Sequence, residues 1–210
     1  MLLMVAVSSY AQKDVTKFLG IPVDGTKEEM IQKLLEKGFT RDEYDRDVLE
    51  GEFNGRDVLI IIATNNNKVY RIMLADVNKI DESDIKIRFN KLCQQFENNP
   101  KYLPYEQSQS IPDNEDISYE MLVHNKQYEA LFFQADDTLS LENMQSFFSS
   151  EYTKSEIENP TDEMSKDFVT YAYEVITHKI VWFKISKLGN KYYISMFYDN
   201  KYNQANGEDL

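Results

Sequence analysis

The sequence predicts an α+β fold, with antiparallel β-sheet meanders and helices packed on one face. Three observations predict it. A capped amphipathic helix runs from Thr26 to Gly38. Two-residue hairpin signals occur at Asn54-Gly55 and Gly189-Asn190. A second apolar stripe at helical spacing lies between Ser83 and Asn98. Helical spacing and strand alternation are separable periodicities, so each segment can be read on its own.

The chain opens on an unbroken apolar run, Met1 to Val7, followed by Ser8-Ser9-Tyr10-Ala11 and then polar Gln12-Lys13-Asp14. Signal peptidase accepts only small side chains at its two subsites, and Ser9-x-Ala11 supplies them. Residues 1–11 are therefore expected to be a signal peptide, with Gln12 first in the mature chain. The run lacks the basic residues that usually precede it, so the true start is expected upstream. The competing reading is a buried N-terminal strand. No cysteine follows the cleavage point, so no lipid anchor is indicated. No other stretch approaches the ~20 apolar residues of a membrane span.

Thr26 and Glu29 form a capping box, in which each side chain satisfies the other residue's backbone N–H. Met30, Ile31, Leu34 and Leu35 follow at helical spacing, and Gly38 is placed to end the helix in the left-handed region. Three strands come next. Folding at Asn54-Gly55 pairs Gly51 with Val58 and Leu49 with Ile60, since both turn positions accept positive φ. Asn65-Asn66-Asn67 turns the chain into a strand over Val69–Leu74. In the helix from Ser83 to Asn98, Ile85, Phe89, Leu92, Cys93 and Phe96 form the buried stripe. Cys93, the single cysteine, reads as a small core hydrophobe.

Residues 99–116 carry Pro100, Pro104 and Pro112 among polar side chains and read as a connector. It divides an N-terminal α/β-meander subdomain, residues 12–98, from a β-rich C-terminal one, residues 117–210. Strands are expected at Ile117–Val123 and Tyr128–Gln134, with Asn125-Lys126 as their turn. Between Asp136 and Lys166 short apolar runs alternate with polar residues, and a helix is expected around Leu141–Phe148. Strands at Phe168–Ile176, Ile180–Lys187 and Lys191–Asp199 close the chain.

Val58–Asp76 and Val181–Asp199 have equal length and match at Val58/Val181, Ile62/Ile185, Asn67/Asn190, Lys68/Lys191, Tyr70/Tyr193, Met73/Met196 and Asp76/Asp199. A duplicated α-β-β-β unit would explain this, and so would two hairpins built on the same turn chemistry.

The charge excludes whole classes of partner. The 210 residues carry 36 acidic against 23 basic side chains, a net charge of −13. Binding phosphodiester backbones needs clustered Lys and Arg, so no nucleic acid is expected. Anionic lipid is disfavoured for the same reason, and no membrane insertion is expected. The sequence contains no P-loop, dinucleotide glycine fingerprint, G-x-S-x-G, H-E-x-x-H or C-x-x-C. Its two histidines, His124 and His178, fall in or beside expected hairpin turns. No catalytic residue, metal site or cofactor is assigned.

Three surfaces are candidates for function. The Asn54-Gly55 hairpin sets Glu52 across from Asp57, with Glu50 on the same face. Paired carboxylates serve hydrolases, whereas a charged edge blocks strand-to-strand aggregation. The run Asp199 to Asp209 is rich in oxygen ligands for calcium, but Lys201 at the third position breaks EF-hand spacing. The final hairpin sets Ile185 opposite Ile194, Phe183 opposite Met196 and Val181 opposite Tyr198 as a core face. Its other face carries Trp182 opposite Phe197, Lys184 opposite Ser195 and Ser186 opposite Tyr193. Aromatic side chains beside polar groups make recognition surfaces. Trp182, Phe197 and Tyr193 are the candidate binding residues, extended by Tyr171 and Tyr173 on the preceding expected strand. A helix, or the 136–166 segment, could instead cover this face.

The ending Lys191-Tyr192-Tyr193-Ile194-Ser195-Met196-Phe197-Tyr198-Asp199-Asn200 through Gly207-Glu208-Asp209-Leu210 resembles that of small exported proteins of Bacteroidales, and so does the capped first helix followed by Phe53-Asn54-Gly55. The resemblance implies a periplasmic or secreted location and supplies no catalytic residues. The layout is also similar to β-lactamase-inhibitor-protein-like modules, a likeness of fold that carries no function. The expected role is an exported, non-enzymatic interaction module for an unknown protein or glycan. A carboxylate-pair hydrolase and a calcium-stabilised structural component of the envelope are the alternatives.

Overall fold

The computed structural model describes residues 14–135, 140–205 and 207. The expected signal peptide, residues 1–11, lies outside them, as does most of the tail beyond Ala205. The α+β class with an antiparallel sheet holds. Strands β1 (Lys17–Phe18) and β2 (Ile21–Pro22) form a small ribbon ahead of helix α1 (Lys27–Glu36). Then come β3 (Thr40–Arg41), β4 (Val48–Phe53), β5 (Arg56–Asn65), β6 (Lys68–Asp76), α2 (Glu82–Glu97) and β7 (Tyr102–Pro104). The remainder is α3 (Ile117–Val123), β8 (Glu129–Gln134), α4 (Leu141–Glu151), α5 (Lys154–Glu158), α6 (Asp162–Thr177), β9 (Lys179–Leu188), β10 (Lys191–Asn200) and a 3-10 turn, Lys201–Asn203.

Local chemistry accounts for the elements read correctly. The Thr26–Glu29 capping box forms in both directions, and Gly38 at φ 96° follows the end of α1. Asn54 and Gly55 both take positive φ, 50° and 71°, and Gly51 pairs Val58 while Leu49 pairs Ile60. Gly189 takes φ 62° at the first turn position of the β9–β10 hairpin. Every cross-strand pair expected there forms, from Val181–Tyr198 to Ser186–Tyr193.

Two expected strands are helices. Ile117–Val123 is α3, because the Asp116 carboxylate accepts from Tyr119 N and caps the turn. Asn125 at φ 56° then ends it. Phe168–Ile176 lies inside α6, whose helical stripe starts four residues earlier: Met164, Phe168, Ala172, Val175 and Ile176 are buried. Thr161 caps that helix and Asp162 and Glu163 favour its positive end. The aromatic and β-branched run Phe-Val-Thr-Tyr-Ala-Tyr-Glu-Val-Ile has strand propensity, and burial of one helical face overrides it. Consequently His124 and His178 sit at the C-caps of α3 and α6 rather than in hairpin turns.

Eight strands form one antiparallel sheet in the order β3-β4-β5-β6-β10-β9-β8-β7. Its centre is the pairing of β6 with β10, which sets Met73 opposite Phe197 and Arg71 opposite Asp199. Alternation puts Val58, Ile60, Ile72, Leu74, Val181, Phe183, Ile194 and Met196 on one face, all nearly fully buried. Helix α1 packs beside β5 and β6, and α2 beside β10 and β9. The interior is aromatic: Phe89 meets Phe183 edge-on at 5.1 Å, and Phe18 meets Tyr198 at 4.9 Å. Helix α6 lies against β8 and β9 and carries α4 with it. Segment 99–116 contributes the edge strand β7 and a buried Ile111.

The element orders of the two halves differ: α1 is followed by four strands, β3 to β6, whereas α2 is followed by β7, α3, β8, α4, α5, α6, β9 and β10. The equal-length match itself holds only over the first strand of each hairpin. An irregularity at Ala63/Thr64 shifts the β5–β6 register by one residue. Past that irregularity, matched residues therefore fall on opposite faces. Met73 stands opposite Phe197 on one face, whereas Met196 lies in the core.

Candidate functional site

The face of β9 and β10 turned away from the core carries Trp182 and Phe197 side by side. Their register places the two rings directly across the strands, and they stack at 4.0 Å between centroids with planes 15° apart. Trp182 is half-buried. Phe197, expected as an exposed binding residue, is buried at 6% exposure. It supports the Trp182 ring by stacking and offers little contact surface of its own.

A charged pair fixes this stack in place. Arg71, on the adjacent β6, binds both oxygens of Asp199, with Nε–Oδ1 at 2.6 Å and Nη2–Oδ2 at 2.7 Å. The indole Nε1–H of Trp182 donates to the same Asp199 Oδ2 at 3.0 Å. The Asp199 side chain is only 6% exposed and that of Arg71 28%. Its bond to Asp199 raises the Arg71 guanidinium above its ordinary pKa, so it stays charged. The guanidinium carbon lies 5.1 Å from the Phe197 ring centre and 5.6 Å from that of Trp182. Cation, carboxylate and two aromatic rings thus hold one another in a fixed arrangement.

Beside this stack is a cleft of about 340 Å³, lined by Arg71, Glu129, Leu131, Trp182, Lys201 and Gln204 among others. An aromatic wall, an apolar floor and charged or amide groups at the rim suit a ligand that is apolar on one side and hydrogen-bonding on the other.

The other candidate residues lie elsewhere. Tyr193 sits four positions from Phe197 on β10, about 13 Å along the strand, with the Lys79 ammonium 5.8 Å from its ring. Tyr171 and Tyr173 are on α6, not on a strand of this sheet. Tyr171 stacks on Phe147 of α4 at 4.7 Å, within an aromatic cluster that ties α4 to α6. Tyr173 is 68% exposed.

Sequence reading missed Arg71, Glu129 and Leu131, and met Lys201 and Gln204 only in the oxygen-rich run weighed for calcium. It singled out Asp199 only as a calcium-type oxygen and as one half of the internal match. Asp199 carried a usable signal, since a carboxylate closing an apolar strand, two residues from an aromatic, needs a partner. Arg71 carried none, because the β6–β10 pairing joins residues 128 apart in the chain.

Glu52 and Asp57 do stand opposite each other, both exposed on the hairpin. Neither lines the clefts beside Trp182 or under the Asn54-Gly55 turn. The oxygen-rich run after β10 is occupied internally: Asp199 holds Arg71, Asn200 Oδ1 accepts from Tyr202 N, and Asn203 donates to Asp24 and to the Val69 carbonyl. Among the described residues, no group of three His, Cys, Asp or Glu is placed to hold a metal ion. Cys93 is buried on α2, and burial pushes its thiol up to about 12. No described helix is long and apolar enough to cross a membrane.

No protein-family model matches the chain, and neither do curated protein sequences or solved structures.

Proposed function

We propose that this protein is an exported, non-enzymatic interaction module that engages a protein or glycan outside the cytoplasm through the Trp182 cleft. The observation that carries this reading is the Trp182–Phe197–Arg71 stack pinned by the buried Asp199 carboxylate. A half-buried tryptophan held beside an arginine loses little side-chain entropy on binding, and such pairs anchor recognition sites. Export rests on the Ser9-Tyr10-Ala11 cleavage pattern. Asp14, three residues further on, already forms a 2.7 Å ion pair with the buried Lys179, so cleavage after Ala11 leaves the described contacts in place.

The test is crosslinked capture from envelope and secreted fractions of the source organism, with a glycan array in parallel. Each identified ligand is then titrated against purified wild-type protein and Trp182→Ala. Truncating a hot-spot tryptophan costs ~2 kcal/mol or more, about a thirtyfold loss of affinity. Equal affinity in a Trp182→Ala variant with an unchanged circular dichroism spectrum would remove the site. The absence of any ligand from both screens would remove the module.

A further inference from the structure

We infer that the cleft between the Asn54-Gly55 turn and α2 is a second binding site, independent of Trp182, for an oxyanion borne on a small molecule. The cleft encloses about 530 Å³ and is lined by Arg56, Arg88 and Lys91, with Asp84 its one carboxylate. Asp76 neutralises Arg88, so Arg56 and Lys91 against Asp84 leave a small positive excess at this pocket in a chain of net charge −13.

Arg56 carries the inference. Strand alternation places it on the same face as Val58 and Ile60, the face that the helices cover, at the mouth of the core. It is half-buried, and its guanidinium has no partner among the described residues, unlike Arg41, Arg71 and Arg88, which each bind a carboxylate. A partly desolvated guanidinium without a counter-ion is costly, and its fork matches phosphate and carboxylate oxygens. Lys91, one turn beyond Arg88 on α2, is likewise without a partner among the described residues and points a second cation at the same space. Arg88 is held in position by a bidentate bond to the buried Asp76, at 2.6 and 2.7 Å. The Asn54 amide donates to Gln95 at 2.9 Å and ties the turn to the helix. The space exceeds one phosphate group, so the anion is the charged end of a larger solute.

The experiment is an NMR titration of nitrogen-15-labelled protein with sodium phosphate and, separately, sodium acetate. Both are run against sodium chloride at equal ionic strength. Saturable shifts confined to residues 54–56 and 84–95 are expected, and the stronger of the two salts identifies the oxyanion. Arg56→Gln should weaken binding ~tenfold or more and Lys91→Gln ~threefold, because a charge-assisted bond is lost in each. Arg56→Gln should melt at the wild-type temperature or above it in chloride, since it removes an uncompensated charge. The inference is overturned by shifts that drift without saturation, that spread beyond the cleft, or that are unchanged in Arg56→Gln and Lys91→Gln.

Discussion

Asp199 shows how much one side chain can organise. It is the acceptor for Arg71 and for the Trp182 indole, and its main-chain carbonyl accepts from the Thr16 hydroxyl. The carboxylate therefore sets the orientation of both groups that border the cleft. Asp199→Asn keeps an acceptor for the indole but removes the charge that holds Arg71. The expected cost is about 1–3 kcal/mol in urea unfolding, below that of a fully buried pair because Arg71 is partly solvated. Trp182 fluorescence in the folded variant should shift and broaden as the ring loses its fixed partner. An unchanged emission spectrum together with unchanged stability would show that Asp199 does not fix the stack.

At the scale of elements, packing decides between structures that propensity leaves open. Gly51 is an example. It lies in β4 paired with Val58, and strand residues are normally not glycine. A Cβ built there would lie 2.5 Å from Phe39 Cδ1, so the missing side chain is what admits the Phe39 ring to the core. Gly51→Ala should cost about 1–3 kcal/mol through overpacking, read as a lower urea midpoint with the slope of the transition unchanged. Gly51→Ala combined with Phe39→Leu should recover part of that loss, whereas Ala introduced at exposed Gly189 should act only through turn strain. Helix α6 makes the same point in the opposite direction. Its strand-like sequence becomes helical because Met164, Phe168, Ala172 and Val175 need a common buried face.

Across the whole molecule, one sheet joins the two halves of the chain. Strand β10 pairs with β6 on one side and β9 on the other, and α2 from the first half packs under β9 and β10 of the second. The N-terminal segment is tied in as well: Lys17 N donates to Gln134 Oε1 at 2.6 Å, and Phe18 is fully buried. A core shared in this way should unfold in one cooperative step. Urea transitions followed by Trp182 fluorescence and by far-ultraviolet circular dichroism should coincide. Two separated transitions would mean that residues 12–98 and 117–210 fold as independent units.

The sequence by itself determined the class of fold, the capping of α1, the stripe of α2 and the complete register of the β4–β5 and β9–β10 hairpins. These features are set by short-range signals, a cap, a stripe or a two-residue turn, which act directly on the residues to either side. It also put Trp182 beside Phe197, since their pairing follows from the Gly189-Asn190 turn. Tertiary structure alone decided that Phe197 is buried rather than exposed, and that Tyr171 and Tyr173 belong to a helix. It alone brought Arg71 to Asp199 and Arg56 into the α2 cleft. Those outcomes depend on which hairpins meet and on which faces water leaves, and that is settled by burial summed over the whole core rather than by any local run of residues.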